Sequence, residues 1–447
     1  MDQARKGIEQ WHTSRLRTPR GALFAVFLSA MLAGLYFPGS LWGWNQNSRL
    51  GLVMAIVDQA SLTIDDFHER AGTETGDKSV HDGHVYSDKA IGTAILGVPA
   101  YWLSRPLLER ALTDPPRHAG LARMVVTGFA ISLPFAIAIT MLFGFAWRSS
   151  ASPATATLAA TAGMLGTPAW PFATVLFGHT LAAALLLMAF ILTRQLRDGA
   201  RHPIMVCIGV GVLLGLAAVT EYPAAALCGL LGLYLAAVLA RMPASTRWPG
   251  LGLAIAAGSL PLLLLGAYNA QCFGSPWTLS YAVIADPMFS QVHDTGLLGV
   301  SMPRADRLLY LTLHPVRGLF AQSPILLAGA AGLIAMARTP GWRLEAAVLT
   351  AAVATLLVIN AGFPIWWGGR SFAARHLVPC TVLLCAPIAF LSPRWRPVLL
   401  MLLGLSIVQM AIATATTPIP NDDALTAMLG DPAPLGWTGT SPIWNDA

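Results

Sequence analysis

Apolar runs of roughly 20 residues, the length a helix needs to cross a hydrocarbon core, recur along the whole chain and are separated by short polar stretches. Lipid offers the backbone amide no partner, so runs of this length read as helices that satisfy their own hydrogen bonds. The pattern predicts eleven spans, over 21–37, 120–147, 153–169, 171–193, 203–219, 223–239, 248–268, 323–336, 345–361, 377–391 and 398–414. Two further stretches are weaker. One, 91–104, is short and carries Tyr101 and Trp102, with Arg105 just beyond; the other, 49–59, carries Leu50, Val53, Met54 and Val57. Both read as helices lying along the membrane surface. The expected fold is therefore all-α, a polytopic membrane helix bundle forming a single transmembrane domain over 1–447. A first outer loop over 38–119 holds the two juxtamembrane helices, a second covers 269–322, and an outer tail runs over 415–447.

Composition places this pattern in lipid: 55% of residues are hydrophobic and only 11% charged, against about 25% charged in a soluble domain. Arg5, Lys6, Arg15, Arg17 and Arg20 precede the first span and hold the N-terminus in the cytoplasm. With eleven spans, the other loops on that side carry Arg148; Arg194, Arg197 and Arg201; Arg241 and Arg247; Arg338 and Arg343; Arg394 and Arg396. Counting 91–104 as a span would move the Arg194 cluster outside. Topology thus accounts for the net charge of +6, which gives no reason to expect nucleic acid. The expected topology puts the C-terminus outside. A cleaved signal peptide is the competing account of the first span, but the long charged lead and the spans that follow favour a retained helix. Of the five cysteines only Cys272 falls in an outer loop, so neither a disulfide framework nor a metal framework is expected.

The polar residues gather in the outer loops. The first contains the stretch TGDKSVHDGHVYSDKA at 75–90, in which Asp77-Lys78 and Asp88-Lys89 bracket His84 and Tyr86. At headgroup height a lysine can neutralise a lipid phosphate, and a partly desolvated carboxylate can act as a general base. As plain surface ion pairs the same residues would contribute little. The second loop carries Asp286, His293, Asp294, Arg304, Asp306, Arg307, His314 and Arg317, and a third, at 363–376, reads FPIWWGGRSFAARH. Arg375 and His376 follow its Gly-Gly turn and open a span; they could reach a phosphate or anchor the interface, and Arg317 and His314 carry the same two readings. Tryptophans such as Trp42, Trp44, Trp147, Trp170, Trp366 and Trp367 sit at span ends as an interfacial belt. His179 lies inside the fourth span, where a histidine usually faces the bundle interior. Glu221, in the hairpin at 220–223, suits a helix cap or a substrate contact. There is no zinc-site spacing, phosphate-cradling glycine loop or Ser/His/Asp order.

The order of these features resembles the C-fold (GT-C) membrane glycosyltransferases, in particular the bacterial aminoarabinose transferases and protein O-mannosyltransferases that use a polyprenyl-phosphate sugar. In that family a first span leads into a long outer loop with two juxtamembrane helices. A lysine in a Glu-Lys-Pro-Pro-like motif opens the second of them. The matching residues are Tyr86-Ser87-Asp88-Lys89-Ala90, the helix running to Trp102, and the span after Arg123 that ends in Trp147-Arg148. The likeness covers the layout of roughly the first 200 residues; the segments at 268–276 and 366–376 also suit bacterial members of the group. The family usually places an acidic residue after the first span, where it activates the acceptor hydroxyl. This chain has Asn45-Gln46-Asn47-Ser48-Arg49 there, and an amide takes up no proton.

What the resemblance implies is glycosyl transfer with inversion at the outer face. Lys89, Arg49, Lys78 and Arg375 are the candidates to hold the donor phosphate, and Gln46, Asn47, His84, Tyr86, His376 and Arg317 to bind substrate. Asp77 is the first choice for a relocated base, followed by Asp88, Asp65 and Asp66. The partners implied are a polyprenyl-phosphate sugar, a pentose such as arabinofuranose or a hexose, and a glycan, lipid or secreted-protein acceptor. No cofactor is implied; a divalent cation is compatible with the chemistry, but no ligand spacing marks a site. Two other readings remain: a lipid or solute transporter, which would favour internal repeats and ionisable groups at the midplane, and a non-catalytic relative that lost its base.

Overall fold

The computed structural model describes residues 18–37, 43–111, 114–293, 296–297, 299–315, 317–369 and 371–418. Arg5, Lys6, Arg15, Arg17, Trp42, Asp294 and the tail from 419 onward lie outside the described residues. Each of the eleven apolar runs lies on helical structure. Five helical segments are long and apolar enough to cross a membrane: Pro115–Ser150, Gly178–Arg197, Ala244–Phe273, Arg343–Gly362 and Pro393–Ala415. Five shorter apolar ones, Arg20–Leu35, Pro203–Ala218, Ala224–Leu239, Ile325–Arg338 and Arg375–Phe390, pack among them. The protein is a multi-pass helical membrane protein.

Two predicted spans are not simple α-helices. The run expected at 171–193 breaks after a short turn, Ala169–Ala173, and resumes as Gly178–Arg197 with Phe177 extended between them. The break is tolerated because the amide of Leu176 donates to Gln46 Oε1 at 3.0 Å, replacing the lost helical bond. The run expected at 377–391 is wound as Arg375–Leu377, Val378–Thr381 and Leu383–Phe390, the first and last of them 3₁₀. Pro379 and Pro387 interrupt its amide ladder. Gly329 and Gly332 of the neighbouring helix, Ile325–Arg338, lie against the carbonyls of Leu384 and Pro387, where a Cβ would collide.

The polar stretch after the first apolar helix adds a hairpin to this mostly helical fold, which the sequence reading did not expect. Two strands, β1 Lys78–His81 and β2 His84–Ser87, pair antiparallel, with Ser79 opposite Tyr86. Asp82 and Gly83 between them have φ of 49° and 80°, both left-handed, as a two-residue type I′ turn demands. The two stretches expected along the membrane surface lie on helices, α1, Trp44–Gln59, and α2, Gly92–Ala111. α1 does not lie with one face on lipid: every residue from Gln46 to Ala55 is buried. It runs beneath the loop, against α2 and the head of Pro115–Ser150. Arg123 on that head fixes it, donating to Asn47 Oδ1 and to the Gly72 carbonyl, both at 2.7 Å. α2 exposes Trp102, Leu103 and Leu107.

The segment that follows Ala244–Phe273 is sewn to the hairpin. Ser79 Oγ donates to the Ser280 carbonyl at 2.8 Å, Ser280 Oγ to the Asp88 carbonyl at 2.9 Å, and the Ala285 amide to the Lys78 carbonyl at 3.0 Å. At the far end of Gly178–Arg197, Glu345 is fully buried. Its carboxylate accepts from Arg197 at 2.6 and 2.7 Å and from the Tyr234 hydroxyl at 2.8 Å, with Arg194 at 3.2 Å.

Candidate functional site

β2 ends at Ser87, so the next two residues, Asp88 and Lys89, turn back beneath the hairpin toward the start of α2. There Lys89 Nζ sits between Asp77 Oδ2 at 2.7 Å and Asp88 Oδ2 at 2.8 Å. All three side chains are mostly buried, the lysine 14% exposed and the acids 17% and 8%. Ser48 of α1 donates to Asp88 Oδ1 at 3.3 Å and shares a hydrogen bond with Ser87. Burial raises the Asp88 carboxyl above its usual range in spite of Lys89. For Lys89 burial works downward, and the two carboxylates outweigh it, so its pKa stands above the ordinary lysine value.

One residue along α1 from Ser48, Arg49 links this cluster to a second one. Its guanidinium donates to Asn45 Oδ1 at 3.1 Å, the Ala90 carbonyl at 3.3 Å, Thr93 Oγ1 at 2.9 Å and Glu221 Oε1 at 3.2 Å. Glu221 stands in the hairpin before Ala224–Leu239, and burial raises its carboxyl against the pull of Arg49. His179 Nδ1 lies 3.5 Å from the same Oε1, and the rings of His179 and His376 are 5.5 Å apart. Gly178 makes this approach possible, because a Cβ there would collide with Glu221 Oε1.

Arg375 completes the group. Its guanidinium carbon sits 5.4 Å over the Phe177 ring, and its charge is felt by Glu221, which in turn feels Arg49 and Lys89. It makes no hydrogen bond or ion pair among the described residues, and its Nε is buried without a partner. Lys89 therefore holds two carboxylates while Arg375 contacts none. A half-buried cation in that condition is a place where an anion binds more strongly than it would in open solvent.

Of the residues singled out from sequence, Asp77, Asp88, Lys89, Arg49, Arg375 and His376 converge here. The others are placed elsewhere. Gln46 and Asn47 are 1% and 0% exposed: Gln46 Oε1 accepts from the Leu176 amide, and the Asn47 side chain accepts from Arg123 and donates to the Glu74 carbonyl. His84 is exposed at the hairpin tip, 2.8 Å from Asp65; Asp66 accepts from Gln59 at 2.7 Å. Tyr86 packs edge-on against Phe273 at 5.3 Å. Lys78 enters β1, and its ammonium makes no ion pair among the described residues. Arg317 is buried and donates to the carbonyls of Ser371, Ala373 and Gly369, which shapes the turn that presents Arg375 and His376. Sequence reasoning underweighted Glu221 and His179; the signal available was an acid and a histidine inside apolar runs. Among the described residues no group of three or more His, Cys, Asp or Glu side chains is arranged to hold a metal ion.

No protein-family model and no curated protein sequence matches the chain. Solved structures do. ArnT from Cupriavidus metallidurans bound to undecaprenyl phosphate superposes at a TM-score of 0.53 with 16% identity, over 87% of this chain and 62% of that one. The apo state of the same protein gives 0.50 and 15%, over 85% and 61%. The archaeal oligosaccharyltransferase AglB from Archaeoglobus fulgidus gives 0.47 and 12%, over 94% and 58%. The chain spans about three fifths of the length of the solved structures it matches. The superposition with ArnT runs over most of this chain, so what it has is the GT-C membrane glycosyltransferase fold.

Proposed function

We propose that the protein is an inverting glycosyltransferase that moves a sugar from a polyprenyl-phosphate donor to an acceptor hydroxyl at the outer face of a bacterial inner membrane. On the expected topology of eleven crossings with the N-terminus inside, the cluster falls on that face. The observation that carries the reading is the gathering of Lys89, Arg49 and Arg375, with Arg375 left without an anionic contact among the described residues. The donor phosphate joins Arg375 and draws Lys89 away from Asp77. The freed Asp77 carboxylate then takes the proton as the acceptor oxygen bonds to the anomeric carbon. The bond from that carbon to the phosphate oxygen breaks, and its electron pair leaves on the phosphate. Neutralising that departing charge is the larger part of such catalysis, and a positioned base adds about 10²–10⁴-fold. The ArnT structure with undecaprenyl phosphate supports a lipid phosphate as the donor's anchor.

The test uses the purified protein with a panel of undecaprenyl-phosphate-linked pentoses and hexoses. The expectation is binding and turnover of at least one, with loss of both in Lys89→Ala. If no panel member is bound or turned over by the wild-type protein, the transferase reading fails.

A further inference from the structure

The charges gathered at the proposed phosphate anchor balance, and the way they are paired leaves room for one added negative charge. Three cations stand there, Lys89, Arg49 and Arg375, against three carboxylates, Asp77, Asp88 and Glu221. Lys89 meets Asp77 and Asp88 at 2.7 and 2.8 Å, and Arg49 meets Glu221 at 3.2 Å. Arg49 also donates to Asn45, Ala90 and Thr93, so most of its N–H groups are taken. Arg375 contacts no carboxylate among the described residues, yet it feels the charge of Asp77 from one ion pair and of Glu221 from the other. The remaining titratable groups that face the cluster are His179, His293, His376 and Tyr281. At pH 8 side chains of these two types are ordinarily uncharged.

The two lipid phosphates of the reaction differ in charge. The sugar-linked donor is a phosphodiester and carries one negative charge. The lipid phosphate left after transfer is a monoester, whose second proton is lost at a pKa of about 6, so it carries two. Arg375 matches the first charge. The second finds none of the three cations unpaired and meets Asp77, Asp88 and Glu221, where like charges held close together are costly. Transfer itself postpones the conflict. As the bond from the anomeric carbon to the phosphate oxygen breaks, its electron pair stays on the phosphate, and the acceptor's proton passes to Asp77. The phosphate gains a charge in the step in which Asp77 loses one. The conflict returns when Asp77 gives that proton to water.

We infer that the site sorts its lipid by charge: it holds the singly charged diester donor and expels the doubly charged phosphate product once Asp77 has shed the acceptor's proton. The inference rests on the transferase reading, whose anchor and base it uses. It gives Glu221 a role that needs no contact with sugar or acceptor, since with Asp77 and Asp88 it supplies the repulsion. Product release is then driven from within the site, and bare lipid phosphate competes poorly with the donor.

The experiment compares two lipids that differ in charge and carry no sugar, undecaprenyl phosphate and undecaprenyl methyl phosphate. Each is titrated at pH 8 into detergent-solubilised wild-type protein, Asp77→Asn and Glu221→Gln, all first shown to be folded by thermal melting. Wild type is expected to bind the methyl diester about tenfold or more tighter than the monoester. Asn and Gln keep the shape of the carboxyl and remove its charge, as protonation does. In either variant the monoester should therefore gain more than the diester, and the ratio should fall by about threefold or more. The two substitutions sit on separate segments, so a folding failure in one leaves the other to decide. A monoester that binds wild type as tightly as the diester or more so, or a ratio unchanged in the folded variants, overturns the inference. If neither lipid binds wild type, what falls is the phosphate anchor and the transferase reading with it.

Discussion

Replacing Asp77 by Asn is expected to tighten binding of bare undecaprenyl phosphate while stopping turnover. In the resting site Lys89 is already neutralised by two carboxylates, at 2.7 and 2.8 Å, so an incoming phosphate competes with both. Asn keeps the shape of Asp77 but neither its charge nor its repulsion toward a second anion. Couplings between close, poorly solvated charges run from about 1.5 kcal/mol upward. Removing one of two competitors from a site that is about one-sixth exposed then shifts the balance by on the order of 1.4–2 kcal/mol, which is about 10- to 30-fold in affinity. Loss of the base costs about 10²–10⁴-fold in turnover. Affinity is read by titrating detergent-solubilised protein with the lipid, turnover with a sugar-linked donor. A variant whose affinity falls or stays level would show that Asp77 serves to hold Lys89 in place, and the competition argument would be wrong.

Arg375→Ala is expected to weaken lipid-phosphate binding by about 10- to 100-fold, the worth of one charge-assisted contact, without lowering the melting temperature. Glu345→Ala leaves Arg194, Arg197 and Tyr234 around a vacated buried site; it should destabilise the protein by about 3–5 kcal/mol, seen in thermal melting, with lipid affinity of the folded fraction unchanged. The folded-state pKa of Lys89 is raised, so its stabilising contribution is complete below the ordinary value of 10.5 and disappears as pH rises through the higher folded value. The wild-type melting temperature, compared with that of Lys89→Met, should therefore converge on the variant's only in that alkaline window; convergence near neutral pH would contradict the two-carboxylate environment.

The helical runs were legible because most are continuous apolar stretches, and α1 and α2 because apolar residues punctuate polar sequence. The hairpin was missed although Asp82-Gly83 between Val80 and Val85 is the sequence mark of a type I′ turn; attention to its charges hid its alternation. The break before Gly178 was not legible, since the group that satisfies the Leu176 amide is Gln46, 130 residues away. The site divides in the same way. Asp88 and Lys89 are neighbours, and a local motif marked them. The Glu221 link to Arg49 spans 172 residues, and no local pattern ranks a lone acid in a hairpin above a cap. Gln46 and Asn47 were read as sugar ligands because amides suit hydroxyls; their burial shows that the same donors and acceptors suit a backbone equally well.

The segment Pro115–Ser150 is continuous over 36 residues, about 54 Å at 1.5 Å per residue, well beyond a hydrocarbon core of about 30 Å. Arg148 near one end and Arg123 toward the other are about 38 Å apart along it. The same Arg123 clamps α1, and through α1 the Ser48 and Arg49 that face the lysine cluster. In the proposed orientation this helix is a ruler: with the Arg148 end at the inner headgroups, the height of the cluster would be fixed by residue count, while the phosphate plane of the outer leaflet moves with acyl-chain length. Hydrophobic mismatch costs fractions of a kcal/mol per Å, so bilayer thickness becomes a variable of donor capture: reconstitution in a series of acyl lengths should give an optimum, and moving the moored end by one helical turn should displace it.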